Sequence, residues 1–218
     1  MAVQVKICGI STPEAMTAAV AGGAAFVGLV FYPPSPRAVT PAEAAPLAAL
    51  VPEGVVKTGL LVDADDATIE AILKAVPLDL LQLHGGEPPE RVAAVKARFG
   101  LPVMKVVKLR QAGDLEAARP FLAVADRLLF DAKPPAELKG ALPGGNAVAF
   151  DWSLLAGTTW PLPWMLAGGL TPENVARAVQ ISGAPAVDVS SGVEDAPGRK
   201  SISKIKAFLA AARALEAA

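Results

Sequence analysis

One cysteine, one histidine and a few acidic residues stand at the ends of apolar runs in this chain. They set the range of chemistry open to it. Cys8 ends Lys6-Ile7-Cys8-Gly9, His84 ends Gln82-Leu83-His84-Gly85, and Asp131 ends Phe130-Asp131. Asp188 opens Asp188-Val189-Ser190-Ser191-Gly192, Arg37 closes Tyr32-Pro33-Pro34-Ser35-Pro36-Arg37, and Gly168-Gly169 follow Ala167. A thiolate and a carboxyl can move protons, and glycine–serine loops can offer backbone N–H and hydroxyl donors to a phosphate. Taken singly, each has a bland reading. A lone cysteine in an apolar run is more often a small hydrophobe. An aspartate after a strand is commonly a cap or turn residue. His84 would serve as a core histidine, Arg37 as a solvated loop cation, and Gly168-Gly169 as a tight turn.

Two other chemistries rank low. One His, one Cys and scattered carboxylates make no metal-ligand spacing. A Cys-His-Asp triad of Cys8, His84 and Asp131 would draw on the first, fourth and sixth strands, and the first and fourth lie far apart round an eight-membered ring.

The elements that must position these residues are legible as a repeating pattern. Runs rich in Val, Leu and Ile with little polar alternation fall at 3–8, 26–31, 55–62, 79–83, 103–107, 128–130, 164–167 and 186–189. That is how strands of a parallel sheet buried on both faces read. Amphipathic stretches separate them. Thr40-Pro41-Ala42-Glu43 predicts a capping box, and Ser11-Thr12-Pro13-Glu14 and Thr171-Pro172-Glu173-Asn174 predict similar helix starts. Gly22-Gly23, Gly100 and Gly183 fall where helices should stop. Eight strand–helix units result, the sixth helix being brief, around 153–156.

Eight such units without a composition break predict an α/β fold, a single (β/α)8 TIM barrel domain over residues 1–218, with an open doubly wound sheet as the rival. The chain of 218 residues is near the lower end for that barrel, and its 53% hydrophobic but only 5% aromatic content suits helices packed closely on a buried sheet. A formal charge of −1 supplies no field for nucleic acid or an anionic membrane. No apolar run is long enough to span a bilayer, the first residues lack a signal-peptide core, and the single cysteine excludes an internal disulfide, so a cytoplasmic protein is expected.

In such barrels the active residues sit at the C-terminal strand ends. On that reading the polar groups appear at one end of otherwise apolar strands and only there. Gly168, Gly169, Ser190, Ser191 and Gly192 then occupy the loops after strands seven and eight, where barrels bind phosphate. The irregular stretch 133–149 follows strand six and would overhang the same face.

At these residues the chain resembles the phosphoribosylanthranilate isomerases of tryptophan biosynthesis. The likeness runs through Lys6-Ile7-Cys8-Gly9-Ile10, Phe31 to Ser35-Pro36-Arg37, Gln82-Leu83-His84-Gly85, Phe130-Asp131, Phe150-Asp151-Trp152, Ala167-Gly168-Gly169-Leu170 and Asp188-Val189-Ser190-Ser191-Gly192-Val193-Glu194. One departure is Gly144-Gly145-Asn146-Ala147, where the family has a Gly-Gly-Thr-Gly-like run. The resemblance implies an Amadori rearrangement of N-(5-phosphoribosyl)anthranilate to 1-(2-carboxyphenylamino)-1-deoxyribulose 5-phosphate. It implies no cofactor, and no dinucleotide fingerprint follows the first strand, where Cys8-Gly9-Ile10-Ser11-Thr12 stands. It assigns Asp131 as the acid that protonates the ring oxygen and Cys8 as the base that takes the proton from C2. Arg37 would meet the anthranilate carboxylate. His84 would orient substrate or support the site, and Asp188 would bind a ribose hydroxyl or fix its loop. A thiol needs activation to serve as base; Lys6 is not expected to supply it, although its side chain would leave the strand on the same face. Monomers and homodimers are both expected. The rivals are a barrel of the indole-glycerol-phosphate synthase or histidine-pathway isomerase type, which shares the phosphate loops, and a non-catalytic phosphate binder.

Overall fold

The computed structural model describes residues 3–134, 142–145 and 148–215. Eight parallel strands close into a barrel in sequence order. They are β1 (Gln4–Cys8), β2 (Phe26–Val30), β3 (Val56–Leu61), β4 (Leu80–Leu83), β5 (Val103–Leu109), β6 (Arg127–Ala132), β7 (Trp164–Leu166) and β8 (Ala186–Val189). β1 pairs with both β2 and β8, which shuts the ring. The expected strands are all present. β6 runs further than the apolar run suggested, so Asp131 lies inside the strand rather than after it.

Among the described residues six α-helices cover the ring: α1 (Pro13–Ala21), α2 (Pro41–Ala48), α3 (Asp66–Ala75), α4 (Pro89–Phe99), α5 (Val175–Ser182) and α6 (Ile202–Ala214). The Thr40–Glu43 capping box forms in both directions, and Thr12 caps α1. Gly100 and Gly183 close α4 and α5 in the left-handed conformation. Two connections differ from the regular pattern. After β5 the chain makes a 3-10 helix, Ala112–Phe121, whose Pro120 cannot donate to an α-helical ladder. After β6 only the short 3-10 turn Trp152–Leu155 is described. The helix start expected at Thr171 falls later, because the Asn174 side chain turns back to accept from the Thr171 N–H and donate to the Gly169 carbonyl. That side chain ties down the loop after β7.

Side chains alternate across each strand. One set, including Ile7, Leu29, Leu81, Val107, Phe130 and Val187, packs outward against the helices in the main core. The other set fills the barrel: Phe26, Leu80, Met104, Leu129, Met165 and Ala186. Each buried Phe, Leu or Met among them contributes roughly 1.5–3 kcal/mol relative to exposure. The strands are less purely apolar than expected. Lys6, Thr58, Gln82 and Lys105 are buried within them, so polar groups are not confined to the C-terminal ends. The two lysine charges are met by groups distant in sequence, Asp188 for Lys6 and Glu87 for Lys105, which hydropathy along a strand does not reveal.

A further element was not anticipated. After β8 the chain makes a 3-10 turn, Ser191–Val193, and then an antiparallel ribbon of β9 (Glu194–Ala196) and β10 (Arg199–Lys200). Gly198 at its tip has φ +79° and lies so close to Pro36 that a methyl group there would sit 2.2 Å from the Pro36 carbonyl oxygen. No described helix is long and apolar enough to cross a membrane.

Candidate active site

A pocket opens over the C-terminal strand ends. Its lining includes Cys8, Arg37, His84, Asp131 and Asp188, together with Gly168, Gly169, Ser190, Ser191 and Gly192. Every site residue expected from the sequence therefore reaches one cavity. The ring order explains their arrangement. β7 and β8 lie between β6, which carries Asp131, and β1, which carries Cys8. The two glycine–serine loops thus sit on the wall that separates the acid candidate from the base candidate.

The loops after β7 and β8 touch each other. A methyl group on Gly192 would lie 1.8 Å from the Leu170 carbonyl oxygen. Gly168 and Gly169 have φ of +88° and +62°, where side chains are strained, and a methyl on Gly168 would meet the Ala132 nitrogen at 2.8 Å. Glycine here is a steric requirement of the cradle. Among the described residues, the Gly168 and Gly169 N–H groups have no backbone acceptor.

Asp131 is nearly buried and held on both oxygens. Its Oδ1 accepts from the Ala132 N–H at 2.9 Å. Its Oδ2 lies 3.2 Å from His84 Nε2, and His84 Nδ1 lies 3.1 Å from Gln82 Nε2. With the Gln82 amide donating to Nδ1, the ring proton falls on Nε2 and points at Asp131. His84 therefore contacts the carboxyl of β6, and Cys8 is not among its hydrogen-bond partners, which removes the structural basis for a Cys-His-Asp triad. The segment 142–145 lies across this pair: a methyl on Gly144 would sit 2.8 Å from His84 Nε2 and 3.1 Å from Asp131 Oδ2. Asn146 and Ala147, the departure from the family's glycine run, lie outside the described residues, as does most of the stretch expected to overhang this face.

Arg37 is buried rather than solvated. Its Nε and Nη2 form a fork on Glu194 at 2.8 and 2.9 Å, and Nη2 also donates to the Gly145 carbonyl at 3.2 Å. Lys200 Nζ donates to the same carboxylate at 2.7 Å and to the Ser190 carbonyl at 2.9 Å. Burial pushes the Glu194 carboxyl up, but Arg37 and Lys200 outweigh it and hold it below the usual carboxylate range. Burial lowers the Lys200 ammonium from its ordinary value despite Glu194. Two cations on one carboxylate leave a local positive excess under the Ser190 loop, in a chain whose total charge is −1.

Sequence reasoning assigned no role to Glu194 or Lys200. The run Glu194-Asp195-Ala196-Pro197-Gly198-Arg199-Lys200 did carry a hairpin signal, its Pro-Gly turn between short flanks. It also missed a second buried pair. Lys105 Nζ meets Glu87 Oε2 at 2.6 Å and the Gly85 carbonyl at 2.9 Å, while Glu87 Oε1 accepts from the Asp63 and Gly85 N–H groups. Burial raises the Glu87 carboxyl, but Lys105 and the backbone N–H groups of Asp63 and Glu87 bring it below its ordinary value. The pair pins the turn that follows His84. A lysine inside Val103-Met104-Lys105-Val106-Val107 was the available signal.

Cys8 is buried at the end of β1. Burial pushes its thiol above the ordinary value, Lys6 pulls it down, Asp188 adds to the rise and Lys200 opposes it. Lys6 favours the thiolate, the contact its shared strand face allowed, but does not reverse the rise, and the thiol stays above its ordinary value. Lys6 is fully buried and donates to Asp188 Oδ1 at 2.9 Å. Burial disfavours its charge, but Asp188 and Cys8 more than offset this and hold the ammonium above its ordinary value.

The family model described as N-(5'phosphoribosyl)anthranilate (PRA) isomerase matches residues 5–211. A relative from Paramagnetospirillum magneticum, named N-(5'-phosphoribosyl)anthranilate isomerase, is 65% identical over 98% of both chains. A crystal structure of phosphoribosyl anthranilate isomerase from Thermotoga maritima superposes with TM-score 0.86 at 36% identity, over 98% of this chain and 100% of that one. Another, solved in complex with reduced 1-(o-carboxyphenylamino)-1-deoxyribulose 5-phosphate, gives TM-score 0.82 at 35% identity over 98% and 100%. A full-length family match, high identity and a barrel closed in the same way lead to one conclusion: this chain belongs to the N-(5'-phosphoribosyl)anthranilate isomerase family.

Proposed function

We propose that this chain performs the Amadori rearrangement of N-(5'-phosphoribosyl)anthranilate in tryptophan biosynthesis, with Asp131 as acid and Cys8 as base. The observation that carries this reading is that Cys8 and Asp131 face one pocket, with the two glycine–serine loops on the wall between their strands. A phosphate seated on Gly168, Gly169, Ser190, Ser191 and Gly192 places the attached ribose between acid and base. The local excess of cationic charge at Arg37 and Lys200 favours the same seat.

The contacts support the following chemistry. Asp131 protonates the ring oxygen as the C1–O bond breaks, giving the open-chain Schiff base. Cys8 takes the proton from C2; the C–H pair becomes the C1–C2 double bond, and the C1–N pair returns to nitrogen. The enolamine then gains a proton at C1 and loses one from the C2 hydroxyl to form the ketone. His84 holds Asp131 in place through Oδ2. Glu194 holds Arg37 by two nitrogens, and the rigid guanidinium beside Gly145 supports its role as the group that meets the anthranilate carboxylate. Asp188 lines the pocket while bound to Lys6. No step calls on a cofactor or metal. We place the enzyme in the cytoplasm as a single barrel domain.

The test is direct. Purified chain is expected to consume fluorescent N-(5'-phosphoribosyl)anthranilate catalytically. Measurable binding without turnover would leave a phosphate-binding barrel and overturn the reading. The cradle makes a separate prediction. Gly192→Ala, whose methyl meets the Leu170 carbonyl, is expected to part the two loops. Losing one charge-assisted hydrogen bond to phosphate is worth about 1.5–3 kcal/mol, so KM should rise roughly ten- to hundredfold. Steady-state kinetics check this, and an unchanged KM would exclude that loop from phosphate binding.

A further inference from the structure

Lys6 and Cys8 are two apart on β1 and leave the strand on one face. Beside them on β2, in register with Cys8, stands Gly28. A methyl group on Gly28 would lie 2.9 Å from Cys8 Sγ and 3.2 Å from Lys6 Nζ. Both functional atoms therefore converge on the one place where β2 lacks a side chain. On the other flank, Asp188 is the register partner of Lys6 on β8 and takes its ammonium at 2.9 Å. A buried charge loses several kcal/mol of hydration, and an apolar side chain of similar volume would fill the barrel without that cost. Packing alone gives no reason for a lysine at this position.

We propose that Lys6 is the counter-cation of the Cys8 thiolate, admitted beside the sulfur by the missing side chain of Gly28 and anchored by Asp188. This rests on the reading of Cys8 as the base. Lys6 acts through Cys8 and is a positioning residue. The charged groups acting on the sulfur are Lys6 from β1, Asp188 from β8 and Lys200 from β10; β2 contributes only the uncharged Gly28. Lys6 and Lys200 favour the thiolate, while burial and Asp188 oppose it. When the thiolate takes the C2 proton, sulfur becomes a neutral thiol and Lys6 keeps Asp188 as its partner. The site then never holds an unpaired buried ammonium.

Cys8 is the single cysteine, so the thiolate ultraviolet absorbance of the chain, less that of Cys8→Ser, reports its ionisation alone. Lys6→Met with Asp188→Asn removes both charges at similar volume and leaves no buried charge stranded. Lys6 acts on Cys8 more strongly than Asp188 does. In the double variant the loss of Asp188 offsets part of the loss of Lys6, so the midpoint of thiolate formation is expected to move up by about 1 pH unit, the low end of the effect of one opposite charge, and the acid limb of kcat/KM with it. Asp188→Asn alone is expected to move it down. Gly28→Ala, which changes neither charge, is expected to push the two atoms apart and raise the midpoint, and it serves if the double variant does not fold. An unchanged or lower midpoint in both the double variant and Gly28→Ala overturns the role of Lys6. Activity retained in Cys8→Ser overturns instead the base assignment, whatever the absorbance shows.

Discussion

Asp131→Asn is expected to lower kcat by about 10²- to 10⁴-fold, the usual worth of a positioned general acid, with little change in KM or in melting temperature. The side chains match in volume and shape. The amide oxygen can still accept from the Ala132 N–H, and the amide nitrogen can donate to His84 Nε2 once the ring takes its other tautomer and the Gln82 amide turns its oxygen to Nδ1. What asparagine lacks is a proton to give to the ring oxygen. Opening the furanose then depends on water, in a pocket where the segment 142–145 lies against both His84 and the carboxyl. Steady-state kinetics with a thermal melt separate the two effects. A kcat within about threefold of the parent, well inside the range expected for a lost acid, would exclude Asp131 from that role. A loss confined to KM would make it a binding group.

Placement of the acid and base was legible because the strands are. A run such as Phe26–Val30 is apolar on both faces, as only strands buried between a barrel interior and a helix layer need be. Once eight such runs are ordered, the residues that end them are neighbours on one rim. The support of the site was not legible. Lys6 meets Asp188 across 182 residues and Arg37 meets Glu194 across 157, and one sequence read along its length carries no trace of either pairing. Their charge looks misplaced until the partner is known. Lys105 within β5 is the same case, since it pins the turn after His84 through Glu87 and the Gly85 carbonyl. Gly28 is subtler, since a glycine inside a strand reads as a packing defect. It becomes intelligible when the sulfur and the ammonium are seen to need that space.

Cys8→Ser is expected to be the more damaging single change, with kcat lowered by at least about 10³-fold. The replacement alters one atom and barely changes packing, so the barrel should fold and bind phosphorylated ligand as before. The loss lies in ionisation. A free thiol titrates near 8.5 and gives a small thiolate fraction at neutral pH; a hydroxyl in the same place gives essentially none. Burial and Asp188 hold the Cys8 thiol above its ordinary value, and the pull of Lys6 and Lys200 offsets part of that rise. In the parent enzyme, kcat/KM should therefore climb with rising pH as the thiol ionises. Cys8→Ser should lose that climb along with its rate. Cys8→Ala should be as inactive as Cys8→Ser, since the hydroxyl is expected to contribute nothing as a base. If serine instead retains near-parental turnover with the same pH profile, the proton at C2 must leave by another group, and the thiol at the end of β1 is only core.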